Sequence, residues 1–270
     1  MDTLGGALAG LAGIAQVASI GSAFWLGARL VRRSLRPGGG MPERLLGVHL
    51  IAAIGLGSLL LGIASMSAYG ASPLSPAAFE ALVVAGNVAT LAGLSAALWF
   101  NAVVFHAGQR RAAALAATSI AAMCAAFLYY AVAGGTRSPE ALFGRSYWPL
   151  VAVMAACDVW LARDALSWRR QLLRRLALGL AEPMVAERMR LWAVASLSRL
   201  GLVLMAPIVS AWTDLDTRRG AAPWLLILSA LLILSSCVSL WLMLVPSARY
   251  RRWVEARYRS ESRISDQSLS

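Results

Sequence analysis

Seven long apolar stretches, separated by short polar segments, constrain the fold of this 270-residue chain more than any other feature. Each is long enough to cross a bilayer as a helix, which needs about 20 apolar residues. The sequence therefore predicts an all-α integral membrane protein, a seven-transmembrane helix bundle that fills residues 1–246 as one domain. The seven predicted helices cover residues 4–30, 45–69, 78–105, 112–134, 147–168, 188–212 and 223–245.

The arginines between these stretches fall almost entirely on one side of the predicted bundle. Short loops rich in Arg stay in the cytoplasm, whereas acidic residues have little effect on orientation. The odd-numbered loops and the C-terminal tail hold 20 of the 25 basic residues. We therefore expect a bacterial inner-membrane protein with its N-terminus outside and its C-terminus in the cytoplasm. The first stretch precedes its arginines, so it is expected to be a retained helix and not a cleaved signal peptide.

The net charge of +12 is concentrated next to the predicted helices, where it attracts anionic lipid headgroups. The bilayer and its anionic lipids are thus the expected partners, and nucleic acid is not. Two basic segments have helical amphipathic spacing: one continues the fifth helix beyond Trp168, and the other is a short helix after Pro246, followed by a disordered tail within 247–270. Either segment can anchor on lipid or dock a cytoplasmic or membrane protein. The arginines assigned to this contact are Arg169, Arg170, Arg174, Arg175, Arg188, Arg249 and Arg252.

Two charged residues fall deep inside predicted helices. Asp158 follows Trp148 by ten residues on the descending fifth helix, and Arg199 follows Arg190 by nine on the ascending sixth. A charge near the bilayer centre costs about 2.5 to 3.5 kcal/mol unless it finds a partner. The sequence therefore predicts an intramembrane ion pair between Asp158 and Arg199. It is either a clasp that holds the helices together or a switch that responds to a ligand or a proton.

The chain offers few groups for a cofactor or metal. His49 and His106, its only histidines, are both expected near the cytoplasmic edge at similar depth, where they are weak candidates for haem or metal ligation. The chain has no lysine, which excludes a retinal Schiff base. The three cysteines lie inside predicted helices without metal-type spacing. We expect no bound cofactor and no metal.

The segment between the fifth and sixth helices carries the most distinctive motif. Residues 174–185 read RRLALGLAEPMV, and Arg188, Leu191 and Trp192 follow. This run resembles the signature RRLRLGLADP…NRF.LW, found between helices five and six of a widespread set of bacterial seven-helix proteins of uncharacterised function. The resemblance implies the same topology and an important fifth loop, but no activity. The local chemistry also predicts a helix end at Gly179 and a helix start at Glu182-Pro183.

No hydrolase, transferase or phosphate-binding motif is present, so catalysis is not expected. The preferred interpretation is a membrane sensor or receptor-like module that detects a lipid-soluble or membrane-associated signal. It would report through the basic cytoplasmic elbow, residues 169–188, and the tail. Two alternatives stay open: a non-catalytic accessory or scaffold subunit of a larger membrane complex, and a small-molecule or proton transporter that uses the intramembrane charges.

Overall fold

The structure, a computed structural model, describes residues 2–68, 74–138, 141–212 and 215–267; within them it describes the side chains of 10–67, 74–138, 141–205, 224–225 and 227–258. All regular elements in this part of the chain are helical. The long helices are α1 (Asp2–Ser34), α2 (Met41–His49), a π-helical segment (Leu50–Gly57), α3 (Ser58–Ala68), α4 (Pro76–Phe105), α5 (Arg110–Val132), α6 (Trp148–Ala177), α7 (Pro183–Trp212), α8 (Leu215–Leu244) and α9 (Ala248–Gln267).

Five helices in the described residues are long and apolar enough to cross a membrane, as judged by length and composition. The chain is thus a multi-pass, all-helical membrane protein, which confirms that part of the prediction. Helices α6 and α7 carry charges inside their length and do not meet the same criterion over their described residues. The five spans are Gly10–Ser34, Met41–Ser67, Pro76–Phe105, Arg110–Val132 and Ile227–Leu244.

The second span contains a π-helical segment that the sequence analysis did not predict. Leu50–Gly57 winds with the wider i to i+5 pattern directly after His49. The backbone of this segment lies in close contact with the backbone of α4: a Cβ added at Gly93 would lie only 2.4 Å from the Ala53 nitrogen. A glycine at position 93 therefore lets α4 approach the π-helical segment closely enough to present its carbonyl to His49.

The turn between α6 and α7 follows from local chemistry. Gly179 has a φ of 71°, which glycine adopts without the penalty that a Cβ brings. The Leu180 amide donates to the Arg175 carbonyl at 2.8 Å, and this bond closes the end of α6 as a Schellman motif. Pro183, whose missing N–H is not needed there, begins α7 directly after Glu182. Helix α6 continues past residue 168 to Ala177, as its amphipathic spacing predicts, and α7 begins at Pro183, where the local chemistry predicts a helix start.

Helix α9 packs onto the C-terminal end of α6 and the N-terminal end of α7. Val254 and Tyr258 are buried against Leu172 of α6 and Ala186 of α7. One face of α9 is therefore covered by other helices of the same chain. The backbone is helical to Gln267, so the helix covers most of the segment that was expected to be a short helix and a disordered tail. The amphipathic spacing predicts a helix here but not its length.

Candidate functional site

A buried ion pair joins α6 to α7. Asp158 on α6 is fully buried, and Arg199 on α7 is mostly buried. Arg199 Nε donates to Asp158 Oδ1 at 2.8 Å, and Nη2 donates to the same oxygen. The two residues that the sequence analysis paired are thus in direct contact. Two donors of one guanidinium on one carboxylate oxygen fix the rotation of α7 relative to α6.

His49 is the third member of this cluster, which we call the Asp–Arg–His cluster (Asp158, Arg199 and His49). Its Nδ1 lies 2.9 Å from the Gly93 carbonyl, and its Nε2 lies 2.9 Å from Arg199 Nη1. A carbonyl only accepts and a guanidinium only donates, so Nδ1 carries the proton and Nε2 accepts. His49 is therefore neutral in this arrangement. Arg199 of α7 contacts Asp158 of α6 and His49 of α2, and His49 in turn contacts the Gly93 carbonyl of α4.

Two polar atoms beside the cluster have no hydrogen-bond partner in the described residues. They are Asp158 Oδ2 and Trp192 Nε1. A small cavity of about 10 Å³, about the room that one water needs, borders His49, Trp192 and Arg199 together with Ser196 and Ser236. An unpaired polar atom in an apolar interior costs about 1–3 kcal/mol. The cluster is therefore held together while still having unused hydrogen-bonding capacity.

His106 belongs to a separate cluster nearer the end of α6. Its Nε2 lies 2.7 Å from Asp164 Oδ2, and Asn101 Nδ2 donates to the same oxygen at 2.7 Å. Asp164 follows Asp158 by six residues, which is about 9 Å along a helix. The two histidines lie in different clusters: His106 contacts Asp164, whereas His49 contacts Arg199, which pairs with Asp158. The structure therefore does not bring together the two weak candidates for haem or metal ligation.

The described residues contain no group of three or more His, Cys, Asp or Glu side chains arranged to hold a metal ion. At His49 both ring nitrogens are already engaged, one of them by a cationic guanidinium, which disfavours a metal at that nitrogen. The arrangement suits hydrogen-bond and charge rearrangement and not coordination chemistry.

A third cluster, the tail anchor (Glu187, Arg190, Tyr250 and Tyr258), links α7 to α9. Glu187 is almost fully buried and receives Arg190 Nε at 3.0 Å on each carboxylate oxygen. Tyr250 OH donates to Glu187 Oε1 at 2.7 Å, and Tyr258 OH to Oε2 at 3.4 Å. Two tyrosines of α9 therefore share one carboxylate of α7 as their hydrogen-bond acceptor.

The charge of Glu187 is maintained by its neighbours. Burial acts to raise the pKa of Glu187, but the hydrogen bonds from Arg190 and Tyr250 and the charges of Arg190 and Arg257 outweigh it and hold the pKa below its usual value. Burial, with the bond to Glu187, raises the pKa of Tyr250 to about 12. At neutral pH Glu187 is therefore an ionised acceptor and Tyr250 a protonated donor, as the contact requires.

The arginines predicted to dock a partner or contact lipid are mostly on the surface. Arg169 is the exception, since its Nε is buried and has no hydrogen-bond partner in the described residues. The apolar face of this segment packs on other helices of the same chain: Leu172, Leu173 and Leu176 contact α7 and α9. The exposed members are Arg170, Arg174, Arg175, Arg188, Arg249 and Arg252.

Sequence reasoning missed three partners. His49 was not assigned to Arg199, because nothing in the spacing of a residue 150 positions away indicates contact. Asp164 was available as a second acidic residue six positions after Asp158, which is a usable signal. Glu187 stands where the signature has Asn, and an acidic residue directly beside Arg188 and near Arg190 is a recognisable anchor.

Comparison with known proteins finds no family model, no curated protein and no solved structure that matches this chain.

Replacing Arg199 tests whether the cluster is held as a unit. Arg199→Gln leaves the Asp158 carboxylate buried without its cation, so we expect the free energy of unfolding in bicelles to fall by about 3 kcal/mol. In the Asp158→Asn/Arg199→Gln double variant the loss should be smaller than the sum of the two single losses. Arg170→Gln, at an exposed arginine of α6, is the control and should stay within about 0.5 kcal/mol of wild type. Additive losses would mean that the pair contributes no interaction energy.

Proposed function

We propose that this protein is a sensor or receptor-like module of a bacterial inner membrane, with seven crossings, its N-terminus outside and its C-terminus in the cytoplasm. The five apolar spans support a multi-pass arrangement. The partnering of the charges on α6 and α7 supports two further crossings, because Asp158 is paired and buried and is not left to lipid. The concentration of arginines at one end of the bundle supports the orientation.

A reporter fused after Ser270 checks this topology. Seven crossings place the C-terminus on the cytoplasmic side, so a fused fluorescent protein should be bright and a fused periplasmic phosphatase inactive. The same two reporters fused after Arg137, in the predicted outer loop, should give the opposite result. Phosphatase activity at the C-terminal fusion would contradict the orientation and every depth derived from it.

One observation carries the functional proposal: α7 holds both the Asp–Arg–His cluster and the tail anchor. Arg199 and Glu187 are twelve residues apart, which is about 18 Å along a helix. The first residue is fixed by α2 and α6, and the second fixes α9. A displacement of α7 at the cluster therefore moves the residue that holds the cytoplasmic helix.

The cluster has the properties of a two-state contact. Arg199 divides its donors between a carboxylate and a neutral imidazole, and Asp158 Oδ2 can accept a further hydrogen bond. A signal that competes for either acceptor changes the partners of one guanidinium without unfolding a helix. Packed interfaces respond to such a change by moving between discrete arrangements. The proposed signal is a small lipid-soluble or membrane-associated molecule, and the cavity beside Trp192, which has room for about one water, would have to widen to admit it.

The readout is a protein partner at the cytoplasmic face. The exposed arginines of α6, α7 and α9 surround the helix that the tail anchor holds, so a rearranged α9 presents a different basic surface. A partner with an acidic surface fits that charge. Under this proposal the elbow is the output end of the molecule and the Asp–Arg–His cluster is the input end.

A distance measurement tests the coupling. Spin labels at Arg170→Cys and Arg252→Cys, in a chain with Cys124, Cys157 and Cys237 replaced by Ala, report the position of α9 relative to α6. Asp158→Asn removes the charge that holds Arg199, so we expect a second distance population. That population should exceed about 10%, the usual ceiling for a minor state. Pulsed electron spin resonance of the protein in nanodiscs gives both distributions.

Glu80→Gln is the matched control, because Glu80 is a carboxylate near the start of α4 whose ion pair with Arg137 is exposed. It should leave the wild-type distribution unchanged. An identical distribution in a folded Asp158→Asn protein would remove the sensor mechanism. That result would favour the accessory-subunit alternative, in which the ion pair only holds the bundle together.

A further inference from the structure

An arginine-lined groove lies at the end of α1, away from all three clusters. It has a volume of about 810 Å³ and is open to solvent. Its cationic lining is Arg29, Arg32 and Arg33, which follow one another at helical spacing in the last turns of α1, and Arg36 in the turn after the helix. The turn that closes the groove is tight: Gly38 has a φ of 83°, and a Cβ on Gly39 would lie 2.5 Å from the Arg33 carbonyl.

The charge of this groove is not compensated in the described part of the chain. None of the four arginines is within ion-pair distance of a carboxylate there, although Glu43 also lines the groove. Four guanidinium groups this close together in the chain repel one another, and an anion bound among them would offset that repulsion. The groove therefore favours a ligand with more than one negative charge.

Two exposed apolar stripes lead from the bundle surface to this groove. On α1 the stripe is Ile14, Ala18, Gly21 and Trp25, and on α8 it is Leu231, Leu234, Val238 and Trp241. The stripes meet where the rings of Trp25 and Trp241 stack at 5.2 Å. The Arg29 guanidinium lies over the Trp25 ring, 5.4 Å from its centroid, and so connects the apolar stripe on α1 to the arginines of the groove.

We propose that this groove is a specific site for an anionic phospholipid with two phosphates in its headgroup, of the diphosphatidylglycerol type. The four arginines bind the two phosphates, and the stripes on α1 and α8 contact the acyl chains. Arg suits this role because its planar fork binds phosphate through two parallel hydrogen bonds. Basic pockets at the cytoplasmic end of membrane helices are known to bind such headgroups. The leaflet in which this lipid lies follows from the orientation proposed above, whereas the site itself does not depend on the sensing mechanism.

The apolar stripes argue for a lipid over a soluble phosphate compound. A free anion would use the arginines alone, whereas a lipid would also use the stacked tryptophans and the stripes above them. Each stripe is exposed on the outside of the bundle, where acyl chains can lie along it. The tryptophan pair sits at the junction of the two regions, as interfacial tryptophans do.

Lipid titration with native mass spectrometry tests the proposal on the full chain in mild detergent. We expect one diphosphatidylglycerol per protein, bound at least about tenfold tighter than phosphatidylglycerol, which has one phosphate. Changing all four arginines to Gln should weaken this binding at least about tenfold. The control removes the same charge from the same side, by changing Arg110, Arg111, Arg249 and Arg252 to Gln, and should stay within about threefold of wild type.

A second variant protects the test from a change in topology. Changing Arg29, Arg32, Arg33 and Arg36 to Lys keeps the positive charge that orients the first helix but loses the bidentate fork, so binding should still weaken. Wild-type affinity in this Lys variant, or equal losses in the groove and control Gln variants, would reduce the site to general charge attraction and overturn the proposal. Complete displacement of the lipid by millimolar pyrophosphate would assign the groove to a soluble anion instead.

Because these readouts report lipid binding alone, their failure leaves the spin-label test of α9 movement unaffected.

Discussion

One guanidinium inside an apolar bundle determines how the central helices of this protein are arranged. Arg199 cannot lie in lipid without an acceptor, so α7 is held where Asp158 of α6 and His49 of α2 can both reach it. His49 is in turn oriented by the Gly93 carbonyl of α4, which approaches because residue 93 has no side chain. The positions of four helices thus depend on satisfying one buried cation.

Helix α7, which carries Arg199, extends from this cluster to the contact with α9. Helix α7 runs unbroken from Pro183 through Arg199, and its first turns hold Glu187, the acceptor for Tyr250 and Tyr258 of α9. A helix is stiff over this length compared with the side-chain contacts at its two ends. The Asp–Arg–His cluster and the tail anchor are therefore two contacts of one rigid helix, so a displacement of α7 at one of them also displaces the other.

The sequence predicts some of these features and not others, for identifiable reasons. The pairing of Asp158 with Arg199 is accessible because an unpaired charge in lipid is costly and the two helices are consecutive. The turn at Gly179 and Pro183 is accessible because backbone chemistry there is local. The contact of His49 with Arg199 and the π-helical segment cannot be predicted from the sequence in this way, since both depend on which non-consecutive helices are in contact. Amphipathic spacing likewise identified the basic elbow and α9, but it could not tell a face that packs on protein from one that lies on lipid.

A double-mutant cycle between the two ends of α7 is the most direct test of this account. The free energy of unfolding in bicelles is measured for wild type, Asp158→Asn, Glu187→Gln and the variant with both changes. Substitutions this far apart, without a shared partner, normally add to within about 0.5 kcal/mol. If α7 couples the Asp–Arg–His cluster to the tail anchor, the cycle should show an interaction energy of at least about 1 kcal/mol. Additive effects would contradict the account, because they would show that the cluster and the tail anchor are independent.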